Sequence, residues 1–204
     1  MVRRYVQTTR AESAQQTRRQ ILDAAREALL HEGGIDVGIG PIATRAGVAR
    51  STIYAIFGSR SGLLSELADD TVHRAGVDTV IAEYMQADPV VALERSLRAS
   101  CRMYDADRDT FARLLVLGQV DADAAEPLAR TDRDRRTGMN VLTGRLAAAG
   151  KLRHDLDPTA AAHALSVLTT FWAFDELRSG RGLSADECGD VLVATARATL
   201  LADG

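Results

Sequence analysis

Apolar residues recur along most of the chain at spacings of three and four. Ile21, Leu22, Ala25, Ala28 and Leu29 form one series, Val90, Leu93, Leu97, Cys101 and Tyr104 a second, and Phe111, Leu114, Leu115 and Gly118 a third. That period puts each set on one face of a helix, and no stretch keeps the alternation of a half-buried strand. The punctuation agrees. Asp88-Pro89 and Asp157-Pro158 each read as an N-cap carboxylate followed by proline at the first helical position, where its missing N–H costs nothing; Pro41 and Pro127 fit first turns too. Gly33-Gly34, Gly47, Gly58, Gly150 and Gly180 read as stops. The pattern therefore predicts an all-α fold, without a repeat at a solenoid period. The first long helix has three candidate starts, the capping-box patterns Thr9-x-x-Glu12, Ser13-x-x-Gln16 and Thr17-x-x-Gln20, and residues 1–12 read as a flexible basic arm ahead of it.

Two late segments are apolar nearly all round. Pro158 to Leu177 reads as one long helix with Leu165, Val167, Leu168, Phe171, Trp172, Phe174 and Leu177 pointing in every direction, and Gly189 to Leu201 repeats the pattern with Val191, Leu192, Val193, Ala194, Ala198 and Leu201. Such helices need cover on more than one side. A second copy of the chain would supply it, so Leu165, Leu168, Phe171, Val191, Ala194, Ala198 and Leu201 are the candidate interface of a homodimer built on a four-helix contact.

Composition narrows the class. With 204 residues, 46% of them hydrophobic and 26% charged, the chain is long and apolar enough to bury a core, which argues against wholesale disorder. The longest uncharged stretch, Pro158 to Phe174, is only 17 residues and holds polar groups, short of the ~20 apolar residues of a membrane span. Polar Gln7-Thr8-Thr9-Arg10 follows the first arginines where a secretory signal would be apolar, so a cytoplasmic location is expected. Cys101 and Cys188 form neither a disulfide framework nor a Cys-x-x-Cys clip. The net charge of -3 conceals a division: residues 1–60 carry nine arginines against five acids, while the remainder is acidic.

The cationic part contains the pattern that bears on function. Between residues 39 and 57, Ile42-Ala43-Thr44-Arg45-Ala46 and Arg50-Ser51-Thr52-Ile53-Tyr54-Ala55-Ile56-Phe57 flank Gly47-Val48-Ala49. This is helix-turn-helix spacing: Gly47 permits positive φ at the turn, and Ala43, Val48, Ile53 and Phe57 supply the contacts that fix the angle between the helices. The outward positions of the second helix, Arg50, Ser51, Thr52 and Tyr54, offer a charge and hydrogen-bonding groups to phosphates or base edges of a major groove.

The run Ile42-Ala43-x-x-Ala46-Gly47-Val48-Ala49-Arg50-Ser51-Thr52-Ile53-Tyr54-x-x-Phe57-Gly58-Ser59-Arg60-x-x-Leu63-Leu64 closely resembles the N-terminal domain of TetR-type (tetracycline-repressor-like) transcriptional regulators. The preceding Leu29-Leu30-His31-Glu32-Gly33-Gly34 fits as well, and the close match spans about residues 18–64; the remainder, including Gly150-Lys151-Leu152-Arg153 to Asp157-Pro158, resembles the family more loosely. The resemblance implies a three-helix helix-turn-helix domain at 13–60 followed by a helical ligand-binding and dimerisation domain at 61–204. It puts Arg50, Ser51 and Thr52 at the groove, Tyr54 on a phosphate, and Arg60 on the DNA backbone near the fourth helix, which Ser59 can cap. The chain departs from the family pattern at Gly38-Ile39-Gly40-Pro41, where relatives usually have Thr or Ser, and at Ala55-Ile56. Base readout must then lean on Arg50 to Thr52, or on Thr44 and Arg45. In the arm, Arg3, Arg4 and Arg10 fit either a minor-groove contact or a solvated tail.

By the same resemblance the chain is a homodimeric repressor on a near-palindromic operator of double-stranded DNA, released by a small-molecule effector. Cys101, Tyr104, Phe111, Met139, His163 and Trp172 lie on helices that usually line such a pocket, though each fits a plain core or interface position better, since pockets use the same residue types as cores. A C-terminal domain that senses a protein partner is a second reading, and an all-α enzyme a third. The inventory disfavours catalysis and calls for no cofactor or metal. His31, His73, His154 and His163 lack metal-ligand spacing, no serine sits in a Gly-x-Ser-x-Gly elbow, and Asp121-Ala122-Asp123 lacks the EF-hand pattern. Asp132-Arg133-Asp134-Arg135-Arg136 reads as a solvated helix face.

Overall fold

A computed structural model describes residues 2–31 and 37–202, with side chains from residue 12 onward. The expected stop at Gly33-Gly34 lies outside the described residues. Eleven α-helices follow in order among the described residues: α1 (Val2–Leu30), α2 (Ile39–Ala46), α3 (Arg50–Phe57), α4 (Arg60–Arg74), α5 (Val77–Tyr84), α6 (Pro89–Ala106), α7 (Arg108–Val120), α8 (Ala122–Ala148), α9 (Pro158–Leu168), α10 (Phe171–Asp175) and α11 (Ala185–Leu200). A π-helical turn, Glu176–Gly180, follows α10, and the only extended pairing among the described residues is an antiparallel bridge between Leu152 and Leu201.

The chain divides into two compact units, Met1–Thr71 with Ala112–Leu128, and Val72–Phe111 with Ala129–Gly204. The boundary read from the sequence at residue 60 misses the segment 112–128. Leu114, Leu117 and Ala124 of that segment are buried in one core with Ile21, Ala25 and Leu29 of α1, Ile42, Ile53, Leu63 and Leu67. In the second unit α6 packs on α5 and α11, and α9 packs on α10 and α11. Gly189 lets α11 lie close to α6, since a Cβ there would come within 3.0 Å of Arg98 Cγ and 3.2 Å of its Cα. Arg98–Asp190 (3.0 Å), Arg102–Asp186 (2.7 Å) and Arg197–Glu94 then line the same helix pair.

Several helix ends are as the sequence predicts. Asp88 accepts from the N–H groups of Val90 (2.7 Å) and Val91 (3.2 Å), and Asp157 from those of Thr159 (2.8 Å) and Ala160 (3.0 Å), each ahead of its proline. Asp88→Ala is expected to lower the unfolding free energy by about 1 kcal/mol, the usual cost of a lost N-cap. Asp88→Ser, which keeps an acceptor, should recover most of it; equal destabilisation by both in chemical denaturation would remove the cap as the cause.

Other expectations need correction. The backbone of residues 2–12, read as an arm, is helical and continuous with α1. No Gly or Pro interrupts it, so none of the three capping boxes starts the helix, and Thr17 instead donates its hydroxyl to Ser13 O at 2.9 Å. Pro127 lies inside α8, five residues beyond its first, and not in the first turn. The single helix expected over 158–177 is broken at Thr169-Thr170. Thr169 turns its hydroxyl back onto Leu165 O (3.0 Å), and Thr170 accepts from Ala173 N–H (3.1 Å) as the N-cap of α10. Gly180 closes the π turn, and the positive φ (75°) falls at Gly182.

Candidate nucleic-acid interface

The reading head is assembled from short-range signals. Ile39, Ile42 and Ala43 fix the buried face of α2. At its end Gly47 takes φ 66°, its N–H reaching Thr44 O (3.2 Å) while Val48 N–H reaches Ala43 O (3.0 Å). No atom lies within 4 Å of where a Gly47 Cβ would be, so the left-handed backbone alone requires glycine there. Val48 packs partly against the core, and α3 buries Ile53 and Phe57, one turn apart. The Arg18 guanidinium lies 5.1 Å from the Phe57 ring centroid and also pairs with Glu66, holding α1 to α3 and α4.

The opposite face of α3 is open. Arg50, Ser51, Tyr54 and Ala55 are exposed and Thr52 is half-buried, with Tyr54 49% exposed. Gly38 caps α2 through backbone alone, with no side-chain acceptor on its first N–H groups. Beside it, Gly40 leaves space that Arg50 uses: a Cβ on Gly40 would stand 2.7 Å from Arg50 Nη2. The family's usual Thr or Ser is thus replaced by a small-residue turn against which an arginine rests. Thr44 and Arg45 are also exposed, but both are engaged. Thr44 donates to Gly40 O (3.2 Å), and Arg45 pairs with Glu27 (3.2 Å). Ser59 accepts from Gly62 N–H at 2.9 Å, the cap expected for α4. The side chains of Arg3, Arg4 and Arg10 lie outside the described residues.

Arg60 is placed differently from its sequence reading. Its guanidinium donates to Asp121 (2.7 and 2.8 Å), Asp123 (3.0 Å) and Val37 O (3.0 Å), and its side chain is 21% exposed. An arginine so engaged does not face a groove with an open donor set. The hydrogen bond from Arg60 holds the Asp121 carboxyl below the usual carboxylate range, helped by the N–H groups of Asp123 and Ala124, and the acids raise Arg60 in turn.

In the second unit the structure brings together some of the candidate ligand residues. The Tyr104 ring meets Phe111 edge-on at 5.1 Å and Phe171 at 5.6 Å, with Phe174 buried beside them. Tyr104 donates its hydroxyl to Thr169 O (3.0 Å), and burial pushes its pKa up to about 12. Cys101 is buried, and desolvation, with a smaller contribution from Cys188, pushes its thiol up to about 12. Met139 is half-buried, while His163 is exposed and Trp172 is 45% exposed, its ring edge-on to Phe171. His163 and Trp172 therefore face outward, away from the aromatic cluster's interior.

The dimer candidates also divide. Leu165 and Phe171 are buried inside the unit and cannot present themselves to a second copy. Leu201 lies beyond α11 in extended backbone, tied through its bridge to Leu152, and Leu168 is half-buried. Val191 (41%), Ala194 and Ala198 are exposed along one row of α11, and Val167 (65%) and Trp172 are the outward apolar groups of α9 and α10. Arg135, read as part of a solvated face, is half-buried. It pairs with Asp132 (2.6 Å) and donates to Ser166 O (2.8 Å), joining α8 to the end of α9. The Asp132–Arg135 spacing was the available signal, but nothing local indicated the carbonyl it reaches.

No helix among the described residues is long and apolar enough to cross a membrane. Residues 21–67 match the model of the bacterial regulatory proteins of the tetR family. No curated protein matches the chain in sequence. Among solved structures, NalD of Pseudomonas aeruginosa, the secondary repressor of the MexAB-OprM multidrug efflux pump, is similar with a TM-score of 0.74 and 22% identity over 95% of this chain and 100% of that one. A putative transcriptional regulator of Saccharomonospora viridis in complex with choline gives 0.71 and 20% identity, over 93% of this chain and all of the other. The ketosteroid transcriptional regulator KstR2 of Mycobacterium tuberculosis gives 0.65 and 18%, over 91% and 95%. At these identities the structures establish a shared fold. The matched segment contains α2, its Gly47 turn and the exposed face of α3, so it is in residues 21–67 that the chain is similar to the bacterial regulatory proteins of the tetR family.

Proposed function

We propose that the chain is a homodimeric repressor that reads a near-palindromic operator through α3 and is released by a small molecule bound in the second unit. The observation that carries the reading is the composite face of Arg50, Ser51, Thr52 and Tyr54 on α3, beside a start of α2 that no side chain caps. Backbone N–H groups at such a start attract phosphate. Arg50 is the favoured base reader over Arg45, whose charge is already answered by Glu27. The outward row of Val167, Trp172, Val191, Ala194 and Ala198 supports dimerisation, which would set two recognition helices about 34–36 Å apart on successive turns of duplex. The choline-bound neighbour supports a small-molecule effector, and the nature of that effector here is open to a metabolite screen by thermal shift. A cytoplasmic location belongs to the same proposal.

Selection of bound duplex from a random pool tests it directly. A single near-palindromic consensus is expected; a protein that retains no duplex at low salt would defeat the proposal. On the selected site, Arg50→Ala is expected to cost about 1–3 kcal/mol and to relax preference at one base position per half-site. Uniform weakening across all sequences would make Arg50 a phosphate contact instead.

A further inference from the structure

Arg60 is the first residue of α4, three positions after α3 ends, and Val37 stands two positions before α2 begins. The guanidinium of Arg60 donates to Val37 O, so one side chain joins the two ends of the helix-turn-helix. It also fastens both ends to Asp121, whose carboxylate it grips through both oxygens, and to Asp123. Asp121 is itself fixed, because its Oδ1 accepts from the N–H groups of Asp123 (2.9 Å) and Ala124 (3.3 Å) in the first turn of α8. These acids belong to the segment 112–128, which the chain enters from the second unit after Phe111 and leaves to it after Leu128. Arg113 adds a second tether from this segment, donating to His31 O at 3.2 Å at the end of α1.

We propose that Arg60 is a positioning residue, the latch by which the segment 112–128 sets the pose of the recognition helix, and that it does not bind a DNA phosphate. Charge decides against the phosphate role. One arginine held by two carboxylates forms a cluster of net negative charge, and a phosphate displacing Asp121 would face both acids at close range. Geometry points the same way. A lysine serves a phosphate as a point charge, whereas only the planar fork of arginine can meet Val37 O, both oxygens of Asp121 and one of Asp123 together. The latch rests on the DNA-binding function proposed above, and all of its contacts lie within the first unit.

The test uses the full chain and its selected duplex, with affinity measured against salt for the wild type, Arg60→Ala, Arg60→Lys and Asp121→Asn, and a thermal melt for each. Arg60→Ala and Arg60→Lys are both expected to weaken binding about tenfold, the scale of a lost positioning network. Asp121→Asn should weaken it too, although it removes a negative charge from the DNA-binding unit. The salt slope should stay unchanged, where loss of a phosphate contact would lower it by about 0.9. A lysine variant that binds like wild type, an Asp121→Asn variant that binds more tightly, or a slope reduced by about one in Arg60→Ala overturns the proposal. Should Arg60→Ala melt below the assay temperature, the sign of the Asp121→Asn effect decides alone. Failure of the wild type to bind any duplex would overturn the DNA-binding reading together with the latch, whereas wild-type binding with phosphate-like variants overturns the latch only.

Discussion

A chain carrying Val167→Arg and Val191→Arg is expected to sediment as a folded monomer and to lose affinity for a near-palindromic operator by about 10²- to 10⁴-fold. Both side chains are outward in the isolated chain, at 65% and 41% exposure, so replacing them leaves its core intact. Around a two-fold axis every substitution enters twice, so four guanidinium groups would have to be desolvated against one another. The loss of affinity follows from linkage. In a dimer the second half-site binds at an effective concentration set by the first, and that advantage, typically 10² to 10⁴, vanishes with the interface. Leu165→Arg is the contrasting control. Leu165 is fully buried within the unit, and a charge there should unfold the chain instead of splitting a dimer. A double variant that still sediments as a dimer would exclude the α9–α11 face as the interface.

The limits of the sequence reading follow from the range of the interactions involved. The helix-turn-helix was legible because every determinant lies within about a turn of its partner: Gly47 with Thr44 and Ala43, and Ile53 with Phe57. Asp88 and Asp157 were legible for the same reason. The break at Thr169-Thr170 was not, because threonine hydroxyls end and restart a helix inside an apolar run without glycine or proline to mark the place. The Ser184–Glu187 capping box that starts α11 was readable but overshadowed by the apolar run that follows it. An apolar pattern all round a helix gives no phase, so it could not tell that Leu165 and Phe171 turn inward while Val167 and Trp172 turn outward. The partner of Arg60 lies 61 residues away, and the burial of Leu114 and Leu117 in one core with Ile21 and Leu63 is equally non-local. Periodicity shows that a face is apolar but not which unit it joins.

Adjacent residues of the recognition helix separate folding from binding. Ile53 is fully buried in the core of the DNA-binding unit, and Ile53→Ala is expected to cost about 2–5 kcal/mol, the transfer term of the lost methyl groups plus the cavity they leave. One position on, the helix has turned by about 100° and Tyr54 is 49% exposed. Tyr54→Phe removes one hydroxyl from an exposed site, so the melting temperature should be unchanged. If that hydroxyl bonds a phosphate, operator affinity should fall by about 1 kcal/mol, equally on every sequence. The salt slope should not move, because no charge is lost and no counterion is retained or released. Affinity measured for Ile53→Ala well below its melting temperature should in turn remain near that of the wild type, since the lost groups lie under α3 and not on its outer face. A Tyr54→Phe variant that destabilises the fold while binding normally would reverse the assignment of the two faces, and with it the direction in which α3 meets the groove.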